Sequence, residues 1–467
     1  MGQNFLPCDR EQELLLPPSL REWLAEDHLA WFVLDAVAEL DLEAFYGAYR
    51  RDGWGAAAHD PQMMVALLLY AYAIGERSSR ALERRCREDV AFRVISANQV
   101  PDHATIARFR VRHEAALGEL FGQVLGLCSE AGLVSVGVIA LDGSKIAASA
   151  SDKALRSYAQ IAAEIIEEAG RIDAAEDDIH GPARGDELPE RLAKREGRRA
   201  WLREARQRLD RERAEQAQPV PRERGDRLRV CQRRLVEDWQ AERFANRDYE
   251  ARYERGVLER GRQQMGSGPR PHTPSPRPGG QLNTTDPDAR RMKQGRAFLP
   301  AYNAQAVTTE QQIVIAAELI TEGVDFEQLD PMIAAAEREL RSAGVTERPG
   351  VVLADAGYWS NGHIDALRER GMTPIVAPDT TRNRPRKTRL GGPYDFMRRV
   401  LATDHGAELY SRRQWMVEPV FAQIKANRRI ERFKRRGRAA ARSEWRLIAA
   451  THNLLKLHRH SLATVTG

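Results

Sequence analysis

Two short apolar runs, VIAL and VVLA, lie more than two hundred residues apart, and each ends in an aspartate, Asp142 and Asp355. Runs of four apolar residues bounded by glycine or acid read as strands buried on both faces, which occur in sheets covered by helices. One sheet can hold both strands only if the chain leaves it and returns. The segment between them suits such an excursion. Residues 191–260 carry 35 charged side chains in 70, against 30% for the whole chain, with Leu202, Leu209, Leu228 and Leu235 as a thin apolar seam. That pattern reads as a solvated helical hairpin broken at Pro219 and Pro221, because proline interrupts the backbone ladder. Residues 265–281 form a Pro/Gly/Ser linker, with little apolar surface to bury.

Beyond the linker, AYNAQAVTTE and QQIVIAAELI read as a strand pair turning around residues 308–311. A helical stretch, the VVLA strand, a second helical stretch and the strand TPIVAP follow. The order β, insertion, β, β, α, β, α, β, α predicts a mixed, ribonuclease H-like sheet covered by helices, with an α-helical insertion after the first strand. The first 130 residues alternate apolar and polar positions at helical spacing, which predicts a helical domain. Its end holds three short helical stretches, the third opening after Pro101 with Asp102 as N-cap, in the manner of a helix-turn-helix. On an exposed face of that third helix, Thr105, Ala107, Arg108, Arg110 and Arg112 would offer hydroxyl and guanidinium groups to phosphates and base edges. An ordinary bundle helix with a solvated basic face fits the same residues.

The 467 residues suffice for about three domains. Cys8, Cys86, Cys128 and Cys231 show no C-x-x-C spacing, so neither zinc nor a disulfide framework is indicated and a reducing, cytoplasmic setting is expected. No apolar run approaches the ~20 residues of a membrane span, so no membrane partner is expected. GVIALDGSK fails the phosphate-loop pattern, so no nucleotide cofactor is expected.

Asp142 and Asp355 end their strands at the carboxyl side, where open α/β sheets bind ligands. Small residues follow each one, Gly143 after the first and Ala356 with Gly357 after the second, leaving room for a substrate backbone. Glu418 is a third candidate, placed at or near a helix start because Pro419 disfavours a helical residue before it. Three hard oxygen ligands without His or Cys suit magnesium or manganese, and a pair of ions ~4 Å apart suits in-line phosphoryl displacement. Residues 411–446 add 12 Lys/Arg against 3 Glu, a local net charge of +9 that exceeds the whole-chain +5. Helical spacing lines up Glu418, Ala422, Lys425 and Arg429 in one stripe. With Lys145, Arg428, Lys434, Arg435 and Arg436, these cations suit a phosphodiester track. Trp415, Phe421, Phe433 and Trp445 suit either base stacking or core packing. Asp286 and Asp288 read as a turn beside the linker rather than as ligands.

At these residues the sequence resembles the DDE transposases of bacterial insertion sequences. ALDGSKI resembles their first-aspartate motif, LADAGYWS the second and VEPVFAQIKANRR the glutamate motif, while NTTDPDARRM followed by AYNAQAV resembles the lead into the second strand. LPPSLREW, EDHLAWFV, DPQMMVALLLYAY, SSRALERRCREDVAFR and VPDHATIARFR resemble the family's N-terminal domain. The resemblance implies that Asp142, Asp355 and Glu418 hold two magnesium or manganese ions and that Lys425 matches the lysine of the Tyr-Arg-Glu-Lys signature. Tyr410 and Arg413 keep their mutual spacing, but Arg413 stands one residue further from Glu418 than the signature has it. It also implies DNA partners, both element ends and target, and a homodimer on DNA. The expected division is a helical DNA-binding domain over 1–130, a catalytic domain over 134–150 and 296–460, the charged insertion over 151–264, and linker plus lead-in over 265–295. A transposase-derived regulator with a silent catalytic domain, or a nuclease without strand transfer, would share these features.

Overall fold

The central strand of the sheet, β1 (Val138–Ala147), runs five residues past the aspartate at which the sequence pattern ends it. It can do so because its neighbour β5 (Ala297–Thr309) is long enough to pair with it antiparallel from Ile139 opposite Thr309 to Ala147 opposite Ala301. The computed structural model describes residues 19–49, 58–180, 220–260, 275–294, 296–379 and 391–466. On its other side β1 pairs parallel with β7 (Val351–Ala354), which pairs parallel with β8 (Thr373–Val376). Along the outer edge of β5, β4 (Arg290–Gln294) takes the first half of that strand and β6 (Val314–Ile320) the second. The six strands form the mixed, ribonuclease H-like sheet that the element order predicts. The lead-in before residue 296 contains β4, a sheet edge.

The insertion leaves β1 through β2 (Leu155–Ser157) and returns through β3 (Gln281–Asn283), and the two pair antiparallel. Between them lie helices Tyr158–His180 and Arg224–Arg260. Leu228 and Leu235 are buried, but their partners are Ile161, Cys231 and Leu282. Leu202, Leu209 and Pro219, the other expected parts of the hairpin, lie outside the described residues.

In the N-terminal helical region, helix Pro61–Ala73 is apolar around its whole circumference and nearly every residue is buried, which requires neighbours on all sides. Those neighbours include the last helix, Arg438–Thr466, so the N-terminal helices and the sheet share one hydrophobic core. Polar contacts lock the join. Arg428 is 5% exposed and its guanidinium donates to Tyr72 O, Ile448 O and Thr451 Oγ1. Within the N-terminal region itself, Arg110 is 7% exposed and donates to Arg77 O, with its guanidinium over the Tyr72 ring. Both arginines are therefore removed from the expected DNA-facing set: each is enclosed and engaged with protein carbonyls. Gly75, at φ +86°, would bring a Cβ within 2.4 Å of Arg428 O, so only glycine fits this close approach.

Candidate active site

The parallel register of β1 and β7 matches Val138 with Val351, Ile139 with Val352 and Ala140 with Leu353. The same offset carried two residues onward sets Asp142 beside Asp355. Side chains alternate along a strand, so Asp142 and Ser144 share one face of β1 while Gly143 and Lys145 share the other. Asp142 Oδ1 accepts the Gly143 N–H at 2.8 Å, and Asp355 Oδ1 accepts the Gly357 N–H at 2.8 Å, capping the short turn Ala356–Tyr358.

The Asp142 face is covered by helix Asp404–Ala422. Arg413 on that helix donates to Asp142 Oδ2 at 3.0 Å, and Tyr410 lies close to the Arg413 charge. The helix does not start near Glu418; Glu418 and Pro419 lie well inside it. Proline leaves the Trp415 carbonyl without its helical donor. Gln312 Nε2, from the β5–β6 turn, supplies the replacement at 2.7 Å, so the helix continues. A π-helical stretch, Gln423–Asn427, follows it. Lys425, within that stretch, donates to Ser144 Oγ and, at 2.9 Å, to Lys145 O, and burial lowers its pKa. Arg429 has left-handed backbone (φ +54°) beyond the helical turns, which interrupts the expected stripe from Glu418 to Arg429.

Burial pushes the Asp142 carboxyl up to about 6; the charges of Asp355 and Asp325 push the same way, while Arg413 and the Gly143 N–H oppose them. Its folded pKa thus lies above its unfolded value near 3.8. The unfolded chain gives up this proton first, so stability is lost as pH rises from about 4 to about 6 and stays lost above. Asp142→Asn is expected to stabilise the metal-free protein by about 2 kcal/mol at pH 7.5 and to have no such effect near pH 4, as read by urea unfolding at both values.

Glu418 is exposed, and among the described residues no side-chain hydrogen bond or ion pair engages it. Also among the described residues, no three His, Cys, Asp or Glu side chains converge as a ready-made metal site. The donor chemistry still fits a hard divalent cation: Asp142 and Asp355 offer only oxygen, and a guanidinium already rests on the partly buried Asp142. Asp286, the alternative acid, is buried and accepts from Tyr302 Oη at 2.8 Å, while Asp288 pairs with Arg234, so both serve the fold.

The other nominated residues divide by exposure. On helix His103–Arg112, Asp102 caps as predicted, accepting from Ala104 and Thr105 N–H; Arg108 is exposed and bonds Thr105 Oγ1. Arg112 is exposed over the Tyr49 ring. Arg429, Lys434 and Arg436 are exposed, whereas Arg435 is partly buried against Glu114. Phe421, Phe433 and Trp445 are core residues, and only Trp415 of the four aromatics is open, at 46%. Sequence reasoning missed Asp325, Asn303 and Gln305. The signal for Asn303 and Gln305 was a pair of amides at alternate positions in the middle of a buried strand, and Asp325, in the loop after β6, carried none.

Residues 18–112 match the family model described as transposase domain (DUF772), and residues 271–454 match that described as transposase DDE domain. Asp355, Glu418 and Lys425 lie within the second match, and Asp142 lies between the two. A curated protein described as a transposase for insertion sequence element IS402 of Burkholderia cepacia is 36% identical over 115 residues, which is 24% of this chain. The chain covers 43% of that relative's length. No solved structure matches the chain. With transposase models on both its N-terminal helices and its sheet, the chain belongs to the DDE transposases of bacterial insertion sequences.

Proposed function

We propose that this protein binds the terminal inverted repeats of an insertion sequence, cleaves DNA phosphodiester bonds in a metal-dependent reaction, and joins the freed 3′ ends to target DNA. The observation that carries this reading is the β1–β7 register, which sets two acids side by side under the helix that bears Glu418 and leads into the π-helical turn bearing Lys425. Asp142 and Asp355 hold the divalent cations, and Glu418 joins them from its exposed position on the covering helix. Magnesium or manganese, two ions when bound, supplies Lewis acidity for in-line phosphoryl displacement. Arg413 neutralises Asp142 in the absence of metal and turns to a phosphate when metal is present. Lys425 donates to a phosphate oxygen near the cut, and Arg429, Lys434 and Arg436 follow the backbone beyond it. Lys145 leaves the expected DNA-facing set, because it points to the other face of β1, beside Asp325. Thr105, Arg108 and Arg112 face the end sequence, and two protomers bring two ends together.

The test is incubation of the purified full chain with end-containing DNA and magnesium or manganese. Nicks at the element end, followed by joining of a supplied 3′-hydroxyl end to a plasmid, are the expected products. Binding without nicks in either metal would favour a silent regulator, and nicks without joining would favour a nuclease.

A further inference from the structure

On the face of β1 turned away from Asp142 lies a buried polar cluster that the chemistry above does not use. β5 places Gln305 opposite Gly143 and Asn303 opposite Lys145, and both amides are fully buried. Asp325, from the loop after β6, reaches into this layer. Its Oδ1 accepts from Asn303 Nδ2 and from Gln305 Nε2, each at 2.8 Å, and its Oδ2 lies 3.8 Å from Lys145 Nζ. Gln305 Oε1 in turn accepts from the Tyr358 hydroxyl, three residues beyond Asp355.

Two glycines make room for this arrangement. A Cβ on Gly143 would stand 2.2 Å from Gln305 Nε2 and 2.8 Å from Asp325 Oδ1. A Cβ on Gly357 would stand 3.6 Å from Asp325 Oδ2 and 3.0 Å from Asp355 Oδ1. The Asp325 carboxylate therefore packs against the residue after Asp142 and close to the residue two beyond Asp355. We propose that Asp325 is a positioning residue: through Asn303, Gln305 and Tyr358 it fixes the strand bearing Asp142 relative to the turn bearing Asp355. The proposal rests on the reading of those two aspartates as the metal-holding pair.

An apolar residue in place of Asp325 would leave two buried amide donors converging on nothing, whereas one carboxylate oxygen has lone pairs for both. Stability alone does not call for such a network, since well-packed apolar side chains serve a core as well or better. What the network adds is a defined spacing between two acids on different elements, and misplacement by about 1 Å is enough to cost about 100-fold in rate.

The test compares Asp325→Ala, Asp325→Asn and Asp142→Asn in the full-length protein, at a temperature where circular dichroism shows all to be folded. The readouts are Mn2+ affinity from the electron paramagnetic resonance signal of free Mn2+, the cleavage rate at saturating DNA, and DNA affinity. Asp325→Ala is expected to weaken Mn2+ binding about tenfold and to slow cleavage about 100-fold, with DNA affinity within about threefold of the parent. Asp325→Asn keeps an oxygen for the two amides and is expected to recover most of both losses. Unchanged Mn2+ affinity and an unchanged cleavage rate in the folded Asp325→Ala protein would overturn the positioning role. If Asp142→Asn binds Mn2+ as the parent does, the acidic-pair reading itself falls, a failure visible without any Asp325 variant.

Discussion

Asp142→Asn and Asp355→Asn should each lower cleavage of end-containing DNA by about 1000-fold, a loss of about 4 kcal/mol of transition-state stabilisation, while leaving affinity for the same DNA within about threefold. Each substitution preserves shape and removes one anionic oxygen donor, so it acts where a divalent cation must be held. The cations proposed to follow the DNA backbone lie elsewhere, on residues 429–436 and on helix His103–Arg112, which is why binding should persist. Circular dichroism separates this loss from unfolding in the Asp142 variant, in which Arg413 gives up its carboxylate partner while a carboxyl with a burial-raised pKa is neutralised. Cleavage within tenfold of the parent in either variant would remove that aspartate from the metal-holding set. Glu418→Gln serves as the companion measurement: loss of cleavage equal to that of the aspartate variants shows that the exposed glutamate closes on the acidic pair when DNA and metal are bound, and full activity shows that it does not.

Glu444→Ala should destabilise the protein by about 3–5 kcal/mol, measured as a fall in urea midpoint at neutral pH. Glu444 is 1% exposed and accepts from Arg77 Nη1 at 2.9 Å, Lys434 N at 2.9 Å and Arg435 N at 3.0 Å. Removing the carboxylate leaves the 4% exposed Arg77 side chain with an uncompensated buried charge and leaves two backbone donors without an acceptor. Arg77 comes from a loop between two N-terminal helices and Glu444 from the last helix, so this pair joins the region expected to read the DNA end to the region expected to cut it. A loss under about 1 kcal/mol would show that the shared apolar core alone holds the two together.

How much of this was legible varies with the range of the interaction. The Asp102 cap, the strands around Asp142 and Asp355 and the β5–β6 pair depend on neighbours close in sequence or on an unbroken apolar run, and their patterns are plain. The start of the helix bearing Glu418 was misplaced because Pro419 is a reliable local breaker unless a distant donor replaces its missing N–H, and here Gln312 does so. Arg110 and Arg428 were assigned to DNA because charge is the one property of arginine that a sequence displays. Their enclosure depends on carbonyls of Arg77, Tyr72 and Ile448 that are brought near only by folding.

The sequence by itself determined that each of two aspartates follows a buried apolar run, that a charged excursion separates them, and that cations concentrate near the C-terminal end, because each of these is a matter of pattern along the chain. That β1 continues past Asp142 was not legible, because β5 is what pairs with the extra residues. Only the tertiary structure decided which acids become neighbours, that Arg413 rests on Asp142 while Glu418 stays exposed, which cations stay on the surface, and that Asp325 lies behind the pair. Those are consequences of strand register and helix packing, in which residues hundreds of positions apart meet at a few ångströms, and no local propensity encodes them.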